Sequence, residues 1–200
     1  MQPQGLIWRT RGRERGHAFN ELTYPRNTVL HLGGMPGVGK STLARRLLSE
    51  TKPLSLDDIL AELSPSKGER RLAPSLAFKE LFARANARAD ADAASGSRSP
   101  LVVETTAGWE SVRKDVLLLA NAHQRPCHLL LLDASANVCA RGRAQRERGF
   151  NPSKDVAEHY EYAWRQLLGD PERLLVEEGH RSVVVLDRRA ANCLRAINFE

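Results

Sequence analysis

Five short apolar runs, separated by longer stretches with helical periodicity, constrain the fold of this chain more than any other feature. The runs are TVLHLG (28–33), PLSL (53–56), LVVET (101–105), CHLLLLD (127–133) and SVVVLD (182–187). Nearly continuous apolar runs are typical of strands buried on both faces, as in a parallel sheet covered by helices. The helical stretches are at about 40–50, 58–63, 74–94, 108–123, 135–148, 153–168 and 171–178. The sequence therefore predicts an α/β fold with a doubly wound, five-stranded parallel sheet.

Composition and charge narrow the class of protein without deciding it. The 200 residues are 42% hydrophobic and 27% charged, as in an average soluble globular protein, which excludes a disordered or fibrous chain. Thirty basic residues, mostly arginine, give a net charge of +6. This charge suits an anionic ligand, but a GC-rich genome would produce it as well. The three cysteines are too few and too widely spaced to predict a disulfide framework or a zinc site.

The pattern predicts one domain at 26–200 that follows a basic extension. Residues 1–25 show no sustained periodicity and carry four arginines in a Gly-containing run, so they are predicted to be flexible. No apolar run approaches the roughly 18 residues that could cross a membrane, and the first residues lack the apolar core of a signal peptide. We therefore expect a cytoplasmic protein with no membrane partner.

One sequence motif indicates a binding function. The segment GMPGVGKST, Gly34–Thr42, matches the pattern GxxxxGK[ST], and it lies between an apolar strand and a predicted helix, where a phosphate-binding loop belongs. Its glycines allow positive φ angles and close approach, so that backbone N–H groups converge on phosphate oxygens. Lys40 would reach the terminal phosphates, and the Ser41 hydroxyl would bind Mg²⁺. The predicted ATP-binding residues are Gly34, Gly37, Val38, Gly39, Lys40, Ser41 and Thr42.

Other classes of nucleotide-binding protein match less well. A GTPase should carry [NT]KxD, and the nearest segment, TKPL at residues 51–54, lacks the aspartate. A motor-type ATPase should end a hydrophobic strand in Asp-Glu, whereas here Ala134 follows Asp133.

Together with SLDDIL (55–60), VVETTA (102–107) and ANVCARGRAQRERGF (136–150), the loop resembles the P-loop kinases that include zeta toxins and polynucleotide 5'-hydroxyl kinases. The resemblance implies an ATP-dependent kinase with a five-stranded parallel core and an arginine-bearing lid at about 141–153. In the family pattern S-x-D-x-x-R, the aspartate is the general base. Asp57 matches it, whereas Leu60 replaces the arginine and Ala107 replaces an asparagine found after the third strand of the family.

Two carboxylates are candidates for the reaction. Asp57 follows a strand parallel to the loop strand, so both open into the crevice where ligands of such sheets bind. It would accept the proton of the attacking hydroxyl, or alternatively cap the next helix. Glu104 ends another strand and would hold Mg²⁺ together with Ser41, or alternatively face solvent.

Arg141, Arg146 and Arg148 are the predicted lid arginines, which would stabilise the charge of the transferred phosphoryl group. The alternative is a solvated basic helix. His31, Trp109, Tyr160, Tyr162 and Trp164 are predicted to pack rather than bind ligand.

The sequence thus predicts an ATP- and Mg²⁺-dependent transfer of phosphate to a hydroxyl. A polynucleotide 5' end is slightly favoured as the acceptor because the chain is basic. A small molecule, such as a nucleotide sugar or an antibiotic, stays open because Leu60 replaces the arginine. An ATP-binding switch without transfer is the alternative from another class.

Overall fold

The computed structural model describes residues 6–10, 20–63, 74–145 and 154–200. The strands are β1 (Leu6–Thr10), β2 (Glu21–Tyr24), β3 (Val29–Gly34), β4 (Leu54–Ser55), β5 (Leu101–Glu104), β6 (Cys127–Asp133), β7 (Ser182–Asp187) and β8 (Ala196–Phe199). The α-helices are α1 (Lys40–Leu47), α2 (Leu56–Leu63), α3 (Pro74–Ser95), α4 (Glu110–Ala122), α5 (Ala136–Ala144), α6 (Lys154–Gly169), α7 (Glu172–Val176) and α8 (Arg188–Cys193). None of these described helices is both long and apolar enough to cross a membrane.

Within the described residues, a central sheet of six parallel strands has the order β1-β7-β6-β3-β5-β4. The five predicted strands are all present in it as β3 to β7, which confirms the α/β fold with a parallel sheet. The sixth strand, β1, was not predicted and pairs with β7 at the edge. A separate pair, β2 and β8, is also parallel.

Helices cover both faces of the sheet because its strands are apolar on both sides. Leu30 and Leu32 of β3 belong to a core cluster with Leu43 of α1 and residues of α8. On the opposite face, Val29 of β3 packs in a cluster with α2, α3 and α4. Farther along that face, β6 and β7 pack against α6 and α7. Burial of each such leucine contributes about 1.5–3 kcal/mol, so this two-sided core fixes the strand order that brings the functional loops together.

The segment predicted as a flexible extension contains two strands. Residues 6–10 pair with β7 and residues 21–24 pair with β8. The ring of Tyr24 is buried and contacts His128 and Phe199, with ring centroids 5.1 and 6.1 Å away. These contacts depend on partners far along the chain, which local periodicity does not register. The rest of the extension, 1–5 and 11–19, lies outside the described residues.

Helix α8 was not among the predicted helical stretches either. The Asp187 carboxylate accepts a hydrogen bond from the Ala190 N–H at 2.7 Å, which satisfies one free donor of the first helical turn.

Candidate functional site

The loop between β3 and α1, residues 34–39, is the segment predicted to bind phosphate. Gly37 and Gly39 adopt φ angles of 87° and 109°, a backbone region that side chains disfavour. A Cβ added to Gly39 would meet no atom within 4 Å, so the loop borders open space there. Gly39 directly precedes α1, whose first N–H groups have no partner within the helix. The loop therefore combines backbone donors with the room that a phosphate group needs.

Lys40, the first residue of α1, reaches back across this loop. Only 3% of the residue is exposed, and Nζ donates to Gly34 O at 2.9 Å and to Met35 O at 3.4 Å. The ammonium group is therefore fixed against the loop backbone, where it would neutralise charge on a bound phosphate.

Ser41 and Glu104 form the pair predicted to hold Mg²⁺. Glu104 ends β5 and is 3% exposed, and its Oε1 accepts a hydrogen bond from Ser41 Oγ at 2.8 Å. Burial raises the pKa of the Glu104 carboxyl, while the Lys40 charge and the Ser41 hydroxyl oppose that rise. Mg²⁺ prefers oxygen ligands and usually takes one or two from protein beside phosphate and water. A hydroxyl and a carboxylate beside the loop fit that requirement.

Asp57 lies in the first turn of α2, two residues beyond the end of β4. The cap of this helix is Ser55, whose Oγ accepts a hydrogen bond from the Asp58 N–H at 3.4 Å. Ser55 is also opposite Glu104 in the pairing of β4 with β5. The capping role considered for Asp57 thus falls to Ser55, and Asp57 lines the same cavity as Glu104.

A cavity of about 80 Å³, here called the Asp57 cavity, lies in front of these groups. Its polar lining includes Lys40, Asp57 and Glu104, and its apolar lining includes Leu56, Leu60 and Phe78. Tyr160 of α6, predicted only to pack, also lines it. Burial first, and then the Asp57 charge, raise the pKa of the Tyr160 phenol. Nothing local in the sequence indicates this role, because α6 is about a hundred residues from Asp57.

The loop after β5, part of the VVETTA segment noted in the sequence, forms the other wall of the cavity through Thr105 and Thr106. The Gly34 N–H donates to Thr106 O at 3.0 Å, which ties this loop to the phosphate loop. Arg113 Nη1 donates to Ala107 O and Gly108 O at 2.9 and 3.0 Å. Arg113 also pairs with Glu178, at 2.9 Å between Nε and Oε2, and both side chains are at most 5% exposed. A buried ion pair therefore supports the backbone of this loop.

Helix α5, where the predicted lid begins, packs directly on the phosphate loop. A Cβ on Gly142 would lie 2.0 Å from Gly37 O, so the contact requires glycine. Arg143, which was not selected from sequence, donates through Nη1 to Pro36 O at 3.2 Å. In the sequence, the feature that indicates this close approach is a glycine, Gly142, placed among arginines.

Of the three predicted lid arginines, the structure describes only Arg141. Arg141 is exposed and lines a second cavity of about 340 Å³, here called the Arg141 cavity. Gly39, Thr42 and Arg188 also line that cavity. Arg146 and Arg148 lie outside the described residues, as does the predicted lid from 146 to 153.

The family described as "AAA domain" matches residues 29–168, more than half of the chain. The chain belongs to this family. No curated protein matches this AAA domain significantly in sequence.

Solved structures share its fold at low sequence identity. The AvrRxo1-ORF1:AvrRxo1-ORF2 complex with sulphate ions superposes with a TM-score of 0.63 at 16% identity, covering 80% of this chain and 54% of that one. This AAA domain thus spans about half the length of that chain. The PezAT toxin-antitoxin system of Streptococcus pneumoniae gives a TM-score of 0.58 at 15% identity, covering 85% and 71%. A gluconokinase from Sinorhizobium meliloti 1021 gives 0.50 at 19% identity, covering 86% and 90%.

The family match and these shared folds confirm that the chain resembles P-loop kinases in fold. The AAA domain has a nucleotide-binding P-loop fold in which Lys40, Asp57 and Glu104 line one cavity, with Ser41 bonded to Glu104.

Proposed function

We propose that this AAA domain transfers the γ-phosphate of ATP to a hydroxyl group in the presence of Mg²⁺. The observation that carries the proposal is the shared cavity: Lys40, Asp57 and Glu104 come from α1, α2 and β5 but line the same space. A cation, a carboxylate base and a metal ligand beside one phosphate-binding loop are the groups that phosphoryl transfer requires.

In this proposal the phosphates of ATP bind the loop backbone and the start of α1, through Gly34, Gly37, Val38, Gly39, Lys40, Ser41 and Thr42. The nucleoside part would extend into the Arg141 cavity, since Gly39 and Thr42 line the near side of that cavity. ATP as the nucleotide is supported by the AvrRxo1-ORF1:-ORF2 structure with ATP, which shares the fold with a TM-score of 0.60 at 17% identity, covering 75% of this chain and 51% of that one.

Ser41 and Glu104 would hold Mg²⁺ with their two oxygen atoms, 2.8 Å apart. When bound there, Mg²⁺ neutralises negative charge on the phosphate oxygens. Lys40, whose ammonium group is bonded to Gly34 O and Met35 O, adds a fixed positive charge on the same cavity.

Asp57 would act as the general base. The acceptor oxygen forms a bond to the γ-phosphorus while the bond from that phosphorus to the bridging oxygen breaks. ADP leaves with the electron pair of the broken bond, and the hydroxyl proton passes to Asp57. Arg141, Arg146 and Arg148 would supply positive charge to the transferred group as the lid closes.

The experiment compares two neighbouring carboxylates. Transfer from labelled ATP is measured over 5'-hydroxyl oligonucleotides, nucleotide sugars, nucleosides, antibiotics and simple alcohols. Asp57→Asn should lower turnover by about 10² to 10⁴-fold, the usual contribution of a general base, and leave ATP affinity within a few-fold. Asp58→Asn is the matched control and should keep turnover within a few-fold, since Asp58 is exposed. Equal effects of the two substitutions would remove Asp57 as the base. ATP hydrolysis without transfer to any acceptor would support the ATP-binding switch instead.

A further inference from the structure

The wall of the Asp57 cavity that faces the carboxylates is apolar. Leu60 is 4% exposed and Ala77 is fully buried, and Leu56 and Phe78 complete this side. These residues come from α2 and α3, which pack against each other in the core. Leu60 stands where the family pattern has arginine, so this position contributes an apolar side chain to the cavity.

The charge of the cavity argues against an anionic acceptor. Among the described lining residues, Lys40 is the cation, and its ammonium group is bonded to the phosphate loop. Asp57 and Glu104 are two carboxylates on the same cavity. Among the described residues, an anionic group placed between these carboxylates and the apolar wall would lose its hydration without gaining a counterion from the wall, which is strongly unfavourable.

The size of the cavity limits the groups that an acceptor molecule can carry next to its hydroxyl. Its volume is about 80 Å³. A cavity of about 10–15 Å³ on this scale holds one water molecule, and an apolar cavity of about 150 Å³ accepts benzene. The Asp57 cavity therefore has room for a hydroxyl group and a few carbon atoms, with any larger remainder outside.

The arginines that favoured a polynucleotide lie elsewhere. Five arginines line a wide groove together with Pro100. Pro100 directly precedes the first residue of β5, whereas Glu104 is the last residue of that strand. The groove arginines are Arg26, Arg46, Arg88, Arg98 and Arg195. They therefore lie at the opposite edge of the sheet from the Asp57 cavity.

We propose that the acceptor is an uncharged alcohol with apolar carbons next to its hydroxyl-bearing carbon, bound between α2, α3 and α6 with its hydroxyl towards Asp57. This inference rests on the proposed transfer reaction and deepens it. The bonds formed and broken are those of that reaction: the alcohol oxygen bonds to the γ-phosphorus, ADP departs, and Asp57 takes the proton. The product is the phosphate monoester of the alcohol.

The test uses the full chain with ATP and Mg²⁺ and a pair of acceptors of similar size. One is 2-methylpropan-1-ol, and the other is 3-hydroxy-2-methylpropanoate, which places a carboxylate inside the cavity. A 5'-hydroxyl oligonucleotide is the third acceptor. We expect kcat/KM for the uncharged alcohol to exceed that for the carboxylate by at least tenfold, and no transfer to the oligonucleotide above background.

Two variants test the apolar wall. Leu60→Arg should lower kcat/KM for the uncharged alcohol at least tenfold and reduce its advantage over the carboxylate, whereas Leu63→Arg on the exposed side of α2 should change neither. Because Leu60→Arg could unfold the protein, Phe78→Ala serves as the second variant: it enlarges the cavity and should shift preference from 2-methylpropan-1-ol towards cyclohexylmethanol. ATP binding is measured for each variant to show that the phosphate loop is intact.

The outcomes separate the two proposals. Faster, Asp57-dependent transfer to the carboxylate or the oligonucleotide would overturn the inference and leave the phosphotransferase intact. Equal use of both small acceptors, or a Phe78→Ala variant with unchanged preference, would also overturn it. Transfer to no acceptor at all would overturn the proposed function, and this inference with it.

Discussion

Two loops leave neighbouring parallel strands at the same edge of the sheet, yet they are held in different ways. The phosphate loop, 34–39, is shaped by its own glycines and by Lys40, all within a few residues. The loop after β5, 105–109, includes Ala107 at a φ of 54° and is held by Arg113 and Glu178, which are 65 residues apart. The turns of the first loop are therefore set by neighbouring residues, although α5 packs against it through Gly142 and Arg143, whereas the second loop is held by residues distant in sequence. We expect changes in the first to impair chemistry and changes in the second to impair stability.

The largest effect is expected for Lys40→Met. Methionine keeps most of the buried stem but removes the charge, so transfer should fall by about 10³-fold or more while the free energy of unfolding changes little. Labelled phosphate transfer and urea denaturation measure the two quantities. Lys114→Met on α4, where the side chain is 61% exposed, is the control and should leave both unchanged. Normal transfer by Lys40→Met would contradict the assignment of this loop.

For Arg113→Leu we expect the main effect on the free energy of unfolding rather than on phosphate transfer. It leaves the Glu178 carboxylate buried without its partner, which should cost about 3–5 kcal/mol of unfolding free energy. Adding Glu178→Leu should recover part of the loss, because the unpaired charge is then removed as well. The exposed pair of Arg173 with Glu110 is the control, and Arg173→Leu should have little effect. A single variant as stable as the wild type would show that the ion pair does not support the loop.

Gly33, in β3 just before the phosphate loop, faces Ala107 of the loop after β5, so a methyl group can be moved from one position to the other. A Cβ on Gly33 would lie 2.4 Å from the Ala107 Cβ and 2.8 Å from Leu131 Cδ2, so Gly33→Ala should cost about 1–3 kcal/mol by overpacking. Ala107→Gly removes the facing methyl and suits the positive φ, so the double variant should be more stable than Gly33→Ala alone. Gly169→Ala, where an added Cβ meets nothing within 4 Å, is the control. Strict additivity in thermal and urea unfolding would disprove the contact.

The smallest effect concerns His31, whose Nε2 lies 2.7 Å from Thr105 Oγ1 and so links β3 to the second loop. Burial, with smaller contributions from His180 and Arg113, lowers the pKa of His31 to about 3. An unfolded histidine titrates near pH 6.5, so the unfolded state binds more protons below that pH and stability falls as the solution is acidified. Between about pH 7 and 5.5, His31→Leu should lose about 1 kcal/mol less than the wild type. An identical loss in both proteins would show that His31 does not contribute.

The same contrast between local and distant encoding explains which features were predictable. The five strands β3 to β7 and the phosphate loop were predicted because each is specified by a continuous run of residues. Asp57 was placed at the site because it follows a strand parallel to β3, and the order of elements alone brings it to the loop. Ser55 as the cap of α2 required the actual helix start, which patterns locate only within a few residues.

Other features could not be predicted because their partners are distant in sequence. Tyr160 reaches the cavity only through the packing of α6, and Arg113 finds Glu178 only when α4 and the end of α7 meet. Arg143 was not selected from sequence, because its contact with Pro36 depends on how closely Gly142 lets α5 approach the phosphate loop. Strands β1 and β2 carry too short a pattern to be identified without β7 and β8.

The pairing of β1 and β2 sets the order in which this chain can fold during synthesis on the ribosome. Strands β3, β5 and β6 lie within residues 29–133 and can assemble as soon as that part has emerged. Leu6 pairs with Ser182 and Glu21 with Ala196, so β1 and β2 cannot pair until β7 and β8 have been made. At about 5–20 residues per second, the roughly 50 residues between β6 and β7 take several seconds. During that interval the edge of β6 that β7 will cover has no strand beside it, and this is when the nascent chain most needs protection from pairing with another molecule.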